Sequence, residues 1–325
     1  MNWKFEAAIA VAAFMGLAIQ RGGTCTVAAI VELVYERRIG RLCALFTAAV
    51  WSIALIGLAR AAGAAVPMPE AFALTGAAAL GGALLGAGAC VNRACVIGSV
   101  ARLGSGDWNY LVTPLGFFVG ATVFFSALHP MAPEKLYGSS LIMAVPVWAP
   151  VLLGLLATGA IAFFSRRHRT GNKPQSWPGR LLAAVWTPSH ATALIGACAV
   201  VITMLMHGAW TYADALTMLA HREFAGDGSW RFVLFVALLL GAIAGGIGSR
   251  QFSNRRATPA GLSRCFVGGT LMAAGSLLVP GSNDGLLLIG LPMLWPYAWL
   301  AFASMCTVIT VVVVATRQSQ WSLQQ

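Results

Sequence analysis

Nine long runs of apolar residues divide this chain, and they restrict its fold more than any other feature of the sequence. Each run has about 16 to 23 residues, the length that a helix needs to cross about 30 Å of hydrocarbon. Backbone groups within lipid must be satisfied inside the segment, so such runs predict transmembrane helices. The runs are 5–20, 41–60, 70–89, 110–128, 142–164, 190–208, 230–249, 261–279 and 296–316. We therefore expect an all-α integral membrane protein with about nine transmembrane helices.

The composition agrees with this class. Hydrophobic residues make up 58% of the 325 residues and charged residues only 10%, whereas soluble domains have about 25% charged residues. The first run follows Lys4 and is similar to a signal peptide, but no small-x-small cleavage site precedes Arg21. We therefore interpret it as a transmembrane helix of the mature protein.

The net charge of +11 is informative because of where the basic residues lie. In a soluble protein it would suggest nucleic acid, but here the bases cluster in loops that a nine-helix topology places on one side. By the positive-inside rule that side is cytoplasmic, so we expect a bacterial inner-membrane protein with its N-terminus outside and its C-terminus inside. Nucleic acid is then excluded as a partner, and contact with membrane lipids is expected. The basic residues are Arg37, Arg38, Arg41, Arg166, Arg167, Arg169, Lys173, Arg250, Arg255, Arg256 and Arg317, and the opposite loops carry Glu70, Glu134, Glu223 and Asp227.

The seven cysteines fall into two groups. Four are isolated within or beside apolar runs, where a thiol acts as a small hydrophobe; they are Cys43, Cys198, Cys265 and Cys306. Cys25, Cys90 and Cys95 differ because glycine and arginine surround them. The chain has no CxxC pair and no histidine at ligand spacing from a cysteine, so we expect no metal site and no cofactor. Cys90 and Cys95 would form a redox pair only if the backbone unwinds, since a continuous helix separates them by about 140°.

A shift of 187 residues aligns part of the chain with itself. "GGALLGAGACVNRACVIG" from Gly81 matches "GGTLMAAGSLLVPGSNDG" from Gly268 at six positions, with Cys95 opposite Ser282. We interpret 1–325 as one transport domain with repeat-like halves, 1–165 and 180–325, joined by a basic cytoplasmic loop at 165–180. The polar segments 90–106 and 280–293 would enter from opposite faces as short half-membrane helices, which gives a pseudo-twofold inverted repeat.

Half-membrane segments suit an anion as their guest. Their non-helical backbone must be buried in protein or wetted by a cavity, and their helix ends present unpaired N–H groups. Arginines at this depth are costly unless they face a polar cavity, so Arg21, Arg93 and Arg102 are pathway candidates. The alternative is that these arginines extend to the interface. Asp284, the one acid in such a segment, either caps a half-helix or binds a proton.

Three motifs carry a resemblance to a known family. "GLAIQRGGTCTVAAI", "ACVIGSVARLGSGDW" and "GGTLMAAGSLLVPGSNDGLLLIG" are similar to segments of the YeeE/YedE family of thiosulfate transporters, and the resemblance covers nearly the whole chain. It implies a nine-helix, hourglass-shaped inner-membrane protein with pseudo-twofold inverted halves. It also implies that cysteines at the constrictions pass thiosulfate inward without an enzymatic reaction.

The resemblance assigns the site residues one by one. Cys25 matches the family's first cysteine and Cys95 its second, while Cys90 is an additional cysteine with an expected packing role. The third family cysteine falls on Ser282, whose hydroxyl is harder than a thiol and forms no persulfide. We therefore expect the constriction to survive with altered selectivity. The expected substrate pathway comprises Gln20, Arg21, Cys25, Arg93, Cys95, Arg102, Ser282, Asn283 and Asp284.

Three alternative functions stay open at this point. The same fold would carry another sulfur or selenium species, such as sulfite or sulfide. Persulfide sulfur on Cys25 or Cys95 would instead be delivered to a cytoplasmic sulfur-carrier protein. A membrane thiol oxidoreductase would use Cys90 and Cys95 as a redox pair, but the sequence offers no second dithiol.

Overall fold

A computed structural model describes residues 3–64, 66–67, 70–128, 131, 134–136, 140, 142, 145–167, 185–220, 229–279 and 282–316. Within these residues, eight helical segments are long and apolar enough to cross a membrane, and a shorter apolar helix covers Trp148–Ala160. The prediction of an all-α membrane protein is confirmed. Several residues singled out above lie outside the described part: Arg169, Lys173, Glu223, Asp227, Pro280, Gly281, Arg317 and most of the 165–180 loop.

The helices follow one another with few other elements. Two strands of two residues each, β1 (Ala71–Phe72) and β2 (Lys135–Leu136), pair antiparallel, with Ala71 opposite Leu136. The elements are α1 (Trp3–Gly22), α2 (Thr26–Val31) with a π-helical turn (Glu32–Glu36), α3 (Gly40–Ala61), β1 (Ala71–Phe72), α4 (Gly76–Asn92), α5 (Val96–Gly104) and a 3-10 turn (Trp108–Leu111). They continue with α6 (Val112–Leu128), β2 (Lys135–Leu136), α7 (Trp148–Arg167), α8 (Pro188–Met206), α9 (Tyr212–Ala220), α10 (Ser229–Gly248) and α11 (Pro259–Leu278). The last are α12 (Ser282–Gly285), a second π-helical turn (Leu286–Gly290) and α13 (Pro296–Ala315).

One predicted helix start was wrong. The run at 70–89 begins with β1, and its helix starts only at Gly76, after Thr75 in an extended conformation. In the run at 142–164, Ile142 is helical and the long helix of the described residues begins at Trp148. Proline disfavours the helical conformation of the residue before it, and Val145, which precedes Pro146, is accordingly not helical.

Glycines let the long helices pack with their backbones in contact. A Cβ atom on Gly241 of α10 would overlap the backbone of Ala13 in α1, and one on Gly82 of α4 would overlap the backbone of Ala301 in α13. These glycines are thus positions of close helix packing. The long helices thus surround the short ones closely, with little room for larger side chains between them.

The order of helices recurs along the chain with the shift of 187 residues. Helices α1 to α6 correspond in order to α8 to α13, and α7 stands between the two sets. Packing partners correspond as well, since α1 packs on α10 as α8 packs on α3, and α4 packs on α13 as α11 packs on α6. This is the order that the predicted repeat requires. The inverted orientation of the halves and the division into halves stay predictions.

Candidate functional site

The segment "CVNRAC" breaks the helix rather than continuing it. Helix α4 ends at Asn92, Arg93 adopts a left-handed conformation with φ of 60°, and Cys95 is the extended N-cap residue of α5. The fully buried Asn92 side chain holds this break, because its Nδ2 donates to Ala94 O at 2.9 Å and to Ser99 Oγ at 2.7 Å. The predicted unwinding is present, and the depth of the break in a membrane stays a prediction.

A second break precedes the other motif cysteine. Helix α1 ends at Gly22, and Gly23 has a positive φ of 55° that glycine adopts without a steric penalty. Cys25 follows in an extended conformation as the N-cap residue of α2. Both cysteines therefore stand at the start of a short helix, at the position where backbone N–H groups lack helical partners.

Cys25 and Cys95 meet across 70 residues of sequence. The backbone N–H of Cys95 donates to Cys25 Sγ at 3.5 Å, and the N–H of Thr26 donates to Cys95 Sγ at 3.4 Å. Cys95 Sγ accepts a further bond from the N–H of Gly98 at 3.4 Å. We call Cys25, Thr26, Cys95 and Gly98 the cysteine junction.

Gly98 leaves the space that the junction requires. A Cβ atom at this position would lie 2.5 Å from Cys25 Sγ and 2.9 Å from Cys25 Cβ. Real Cβ atoms do not approach other atoms so closely, so any larger residue would displace the thiol. The glycine is thus required by the close approach of Cys25.

Two threonine hydroxyls beside Cys25 add polar atoms that the sequence reasoning missed. Thr24 and Thr26 are buried, and neither hydroxyl has a hydrogen-bond partner within the described ranges. Buried hydroxyls normally find a partner, so these two are available to a ligand. Their signal in the sequence is simply that they flank the cysteine in "GGTCTV".

Cys90 lies closer to the junction than its predicted packing role suggests. It is buried in α4 and is an electrostatic neighbour of Cys25. It remains a free thiol, as do the other six cysteines. The chain therefore places three thiols near one another, with Cys25 contacting Cys95 directly.

The predicted pathway arginines have different surroundings. Arg102 of α5 is an electrostatic neighbour of Cys25. Arg21 lies over the ring of Trp186, with Cζ 5.5 Å from its centroid. Arg93 has Arg264 as a charged neighbour. The charge of Arg102 thus acts on the junction.

Gln20 joins three segments at one end of α5. Its Nε2 lies 3.3 Å from Ser105 Oγ and 3.3 Å from Gln251 Oε1, so it connects α1 to the ends of α5 and α10. Ser105 in turn accepts a backbone bond from Ser253. The junction lies at the start of α5, whereas Gln20 lies at the end of this helix. The sequence did not predict this polar contact.

The segment with Ser282, Asn283 and Asp284 is almost fully buried, each residue being at most 3% exposed. Ser282 has a positive φ of 55°, and its hydroxyl and both polar atoms of the Asn283 amide have no partner within the part of the chain that the structure describes. Helix α12, which contains these residues, packs against α5, the helix that Cys95 caps. The structure thus brings predicted pathway residues of both halves into adjoining elements.

Asp284 caps a neighbouring helix rather than its own. Its Oδ2 accepts the N–H of Ala213, in the first turn of α9, at 3.2 Å. Its Oδ1 is buried and lacks a hydrogen-bond partner among the described residues. One carboxylate oxygen of Asp284 thus makes a capping contact, but with a helix other than the predicted half-helix.

Broken helices with buried polar groups, enclosed by long apolar helices, are typical of membrane transport proteins. Among the described residues, no three histidine, cysteine, aspartate or glutamate side chains group as metal ligands. A family model described as sulphur transport matches residues 21–311, which include both cysteines and all four short helices. The chain belongs to this sulphur transport family of multi-pass membrane proteins. A search of curated proteins finds no match.

Proposed function

We propose that this protein takes up thiosulfate, or a closely related sulfur anion, across the bacterial inner membrane. Membership of the sulphur transport family supports a sulfur transporter. The observation that carries the finer proposal is the cysteine junction, in which each thiol accepts an N–H from the chain segment of the other. A thiol is a weak donor and a soft, polarizable neighbour, so it suits the terminal sulfur of thiosulfate.

The anion passes between weak donors in this account. Cys25 and Cys95 contact its sulfur, while Ser282 and the hydroxyls of Thr24 and Thr26 donate to its oxygens. These hydroxyls are buried and lack partners within the described ranges, so a ligand gains their hydrogen bonds without displacing others. No covalent step is required. Each binding position along the route releases the anion because it binds the anion weakly.

Charge draws the anion toward this route. Arg102 is an electrostatic neighbour of Cys25 and contributes a positive potential at the junction. Helix α5 has nine residues, about 13 Å, and ends beside the loop with Arg250 and Arg255. The positive-inside rule makes that loop cytoplasmic, with the N-terminus outside and the C-terminus inside. A cytoplasmic sulfur-carrier protein is then a candidate acceptor of the delivered sulfur.

Ser282 favours one alternative, in which the same protein carries another sulfur or selenium species. A hydroxyl interacts better with hard oxygen atoms than with sulfur, so a station built on serine suits an oxyanion such as sulfite. This alternative is supported by the burial of Ser282 and by its hydroxyl, which has no hydrogen-bond partner among the described residues.

Growth of a bacterium that lacks its own sulfate and thiosulfate uptake tests the proposal. The wild type should restore growth on thiosulfate as sole sulfur source, and Cys95→Ala should not. Cys43→Ala, which changes an exposed cysteine, is the matched control and should grow as the wild type does. Immunoblots of membrane fractions establish equal amounts of protein. Growth of the Cys95→Ala strain at the wild-type rate contradicts the assigned role of Cys95. The alternative is favoured if the wild type does not take up thiosulfate but restores growth on sulfite or makes the cells sensitive to selenite.

A further inference from the structure

Asp284 is a buried acid that the thiol pathway does not use. Its carboxyl group is 3% exposed, with Oδ2 bound to the N–H of Ala213. The other oxygen, Oδ1, has neither a hydrogen-bond partner nor a salt bridge within the described ranges. Ser282 Oγ and the Asn283 amide beside it in the chain are equally buried and unpartnered in the same ranges. Four polar groups in three consecutive residues thus lack the bonds that a buried site normally provides.

The carboxylate of Asp284 accepts a backbone N–H in the second half of the chain, and the thiol of Cys95 accepts the corresponding N–H in the first half. Under the shift of 187 residues, Thr26 corresponds to Ala213. The N–H of Thr26 binds Cys95 Sγ, and the N–H of Ala213 binds Asp284 Oδ2. Helices α2 and α9 therefore each donate the corresponding backbone N–H to a titratable side chain. The sulfur of Cys95 accepts this N–H, and the carboxylate of Asp284 accepts the corresponding one; on gaining a proton the carboxyl group also acquires an O–H donor.

The effect of protonating Asp284 depends on the charged and titratable groups of the elements that pack against α12. Helix α9 contributes Tyr212 and Asp214, both electrostatic neighbours of Asp284. Helix α5 carries Arg102 and is capped by Cys95, and α11 carries Arg264 and Cys265 near its start. Asp214, an electrostatic neighbour of Asp284, is thus another acid. An ionised Asp284 would repel an anion at Ser282, while a protonated one would offer it an O–H donor.

We propose that Asp284 binds a proton on Oδ1 together with each sulfur anion bound at Ser282 and Asn283, so that anion uptake is coupled to proton uptake. The inference rests on the proposed function and extends it to the driving force. The proton comes from the outer solution, accompanies the anion through the closed site and leaves to the cytoplasm with it. An intramembrane acid in a polar site is the usual proton carrier of secondary transporters.

Purified full-length protein in liposomes tests this coupling. The vesicles contain the pH-sensitive dye pyranine, and valinomycin with equal potassium on both sides holds the membrane potential at zero. Labelled thiosulfate is added outside at pH 6.0 or 7.5, with the lumen at pH 7.5. For the wild type we expect uptake to be at least fivefold faster at outer pH 6.0, with acidification of the lumen that requires thiosulfate. A protonophore should remove the effect of the gradient.

Asp284→Asn fixes the neutral, donor-bearing form of the side chain. It should still exchange thiosulfate across the membrane, but at a rate independent of the gradient and without moving protons. Glu70→Gln, a carboxyl-to-amide change in an exposed salt bridge, is the matched control and should behave as the wild type does. Thiosulfate transport by the wild type without proton movement overturns the proposal, whatever the variant does. Proton-coupled thiosulfate uptake by Asp284→Asn overturns it as well. A wild type that moves no sulfur anion contradicts the proposed function itself, which separates the two failures.

Discussion

The backbone N–H of Cys95 lies 3.5 Å from Sγ of Cys25, although 70 residues separate them in the chain. The reciprocal bond runs from Thr26, the residue after Cys25, to Sγ of Cys95 at 3.4 Å. Two helix starts thus hold each other's thiols, and the cysteine junction is fixed by backbone groups rather than by flexible side chains. A small anion that replaces either contact meets N–H donors already oriented.

Mild oxidation should therefore link Cys25 to Cys95. Each of the two thiols accepts a backbone N–H from the chain segment of the other, while Cys90 lies in the preceding helix α4. Treatment with copper phenanthroline should form this disulfide and stop thiosulfate uptake, and dithiothreitol should restore it. Peptide mass mapping identifies the pair. A Cys90–Cys95 disulfide in its place would contradict the arrangement and favour the thiol oxidoreductase.

Gly98→Ala should impair transport without unfolding the protein. The added Cβ would lie 2.5 Å from Cys25 Sγ, so the thiol must move out of the junction. Overpacking of this kind costs about 1–3 kcal/mol, and 1.4 kcal/mol corresponds to about tenfold in a binding constant. We expect thiosulfate uptake to fall about tenfold. Gly76→Ala, where nothing lies within 4 Å of the new atom, is the control. Equal uptake by both variants would show that the junction tolerates displacement of Cys25.

Ser282→Cys should shift selectivity toward thiosulfate and away from sulfite. The change restores a soft, polarizable atom at a fully buried station, and it keeps a hydrogen-bond donor there. Ser282→Ala removes the donor and should weaken both substrates by about fivefold, since one hydrogen bond contributes about 1 kcal/mol. Competition of unlabelled anions with labelled thiosulfate measures both effects. An unchanged ratio of the two affinities in Ser282→Cys would remove Ser282 from the selective part of the route.

Gly241→Ala should destabilise the whole protein rather than the site. Its Cβ would overlap the backbone oxygen of Ala13, where α1 and α10 pack most closely. We expect a loss of about 1–3 kcal/mol in the free energy of unfolding, observed as a lower melting temperature in detergent. Gly159→Ala in α7, which meets open space, should instead be neutral or stabilising by up to about 1 kcal/mol because alanine favours helix. The reverse order of melting temperatures would refute the packing of α1 on α10.

The sequence predicted the elements of this fold better than their contacts. Long apolar runs identified the membrane helices because lipid imposes both their length and their composition. The polar residues of "CVNRAC" predicted a break, and Asn92 and Arg93 make it. The extended residues before Gly76 moved one helix start, because a run of apolar residues does not reveal its first helical residue.

The junction itself was not predictable from local patterns. Cys25 and Cys95 were selected through a family resemblance, and nothing in either segment indicates the other. Their meeting depends on how glycine-rich helices pack, and with 36 glycines in the chain many helix faces permit a close approach. For the same reason the sequence does not distinguish Arg21, Arg93 and Arg102, whereas the structure gives Arg102 as an electrostatic neighbour of Cys25 and puts Arg21 over the ring of Trp186.

Flux of labelled thiosulfate into liposomes that contain only the purified protein tests the central claim most directly. The account predicts saturable uptake by the wild type and by Cys43→Ala, and a loss of at least about tenfold in Cys25→Ala and Cys95→Ala at equal reconstitution. Each of these variants removes one of the two thiols that the junction holds together. Wild-type rates in both junction variants would contradict the account.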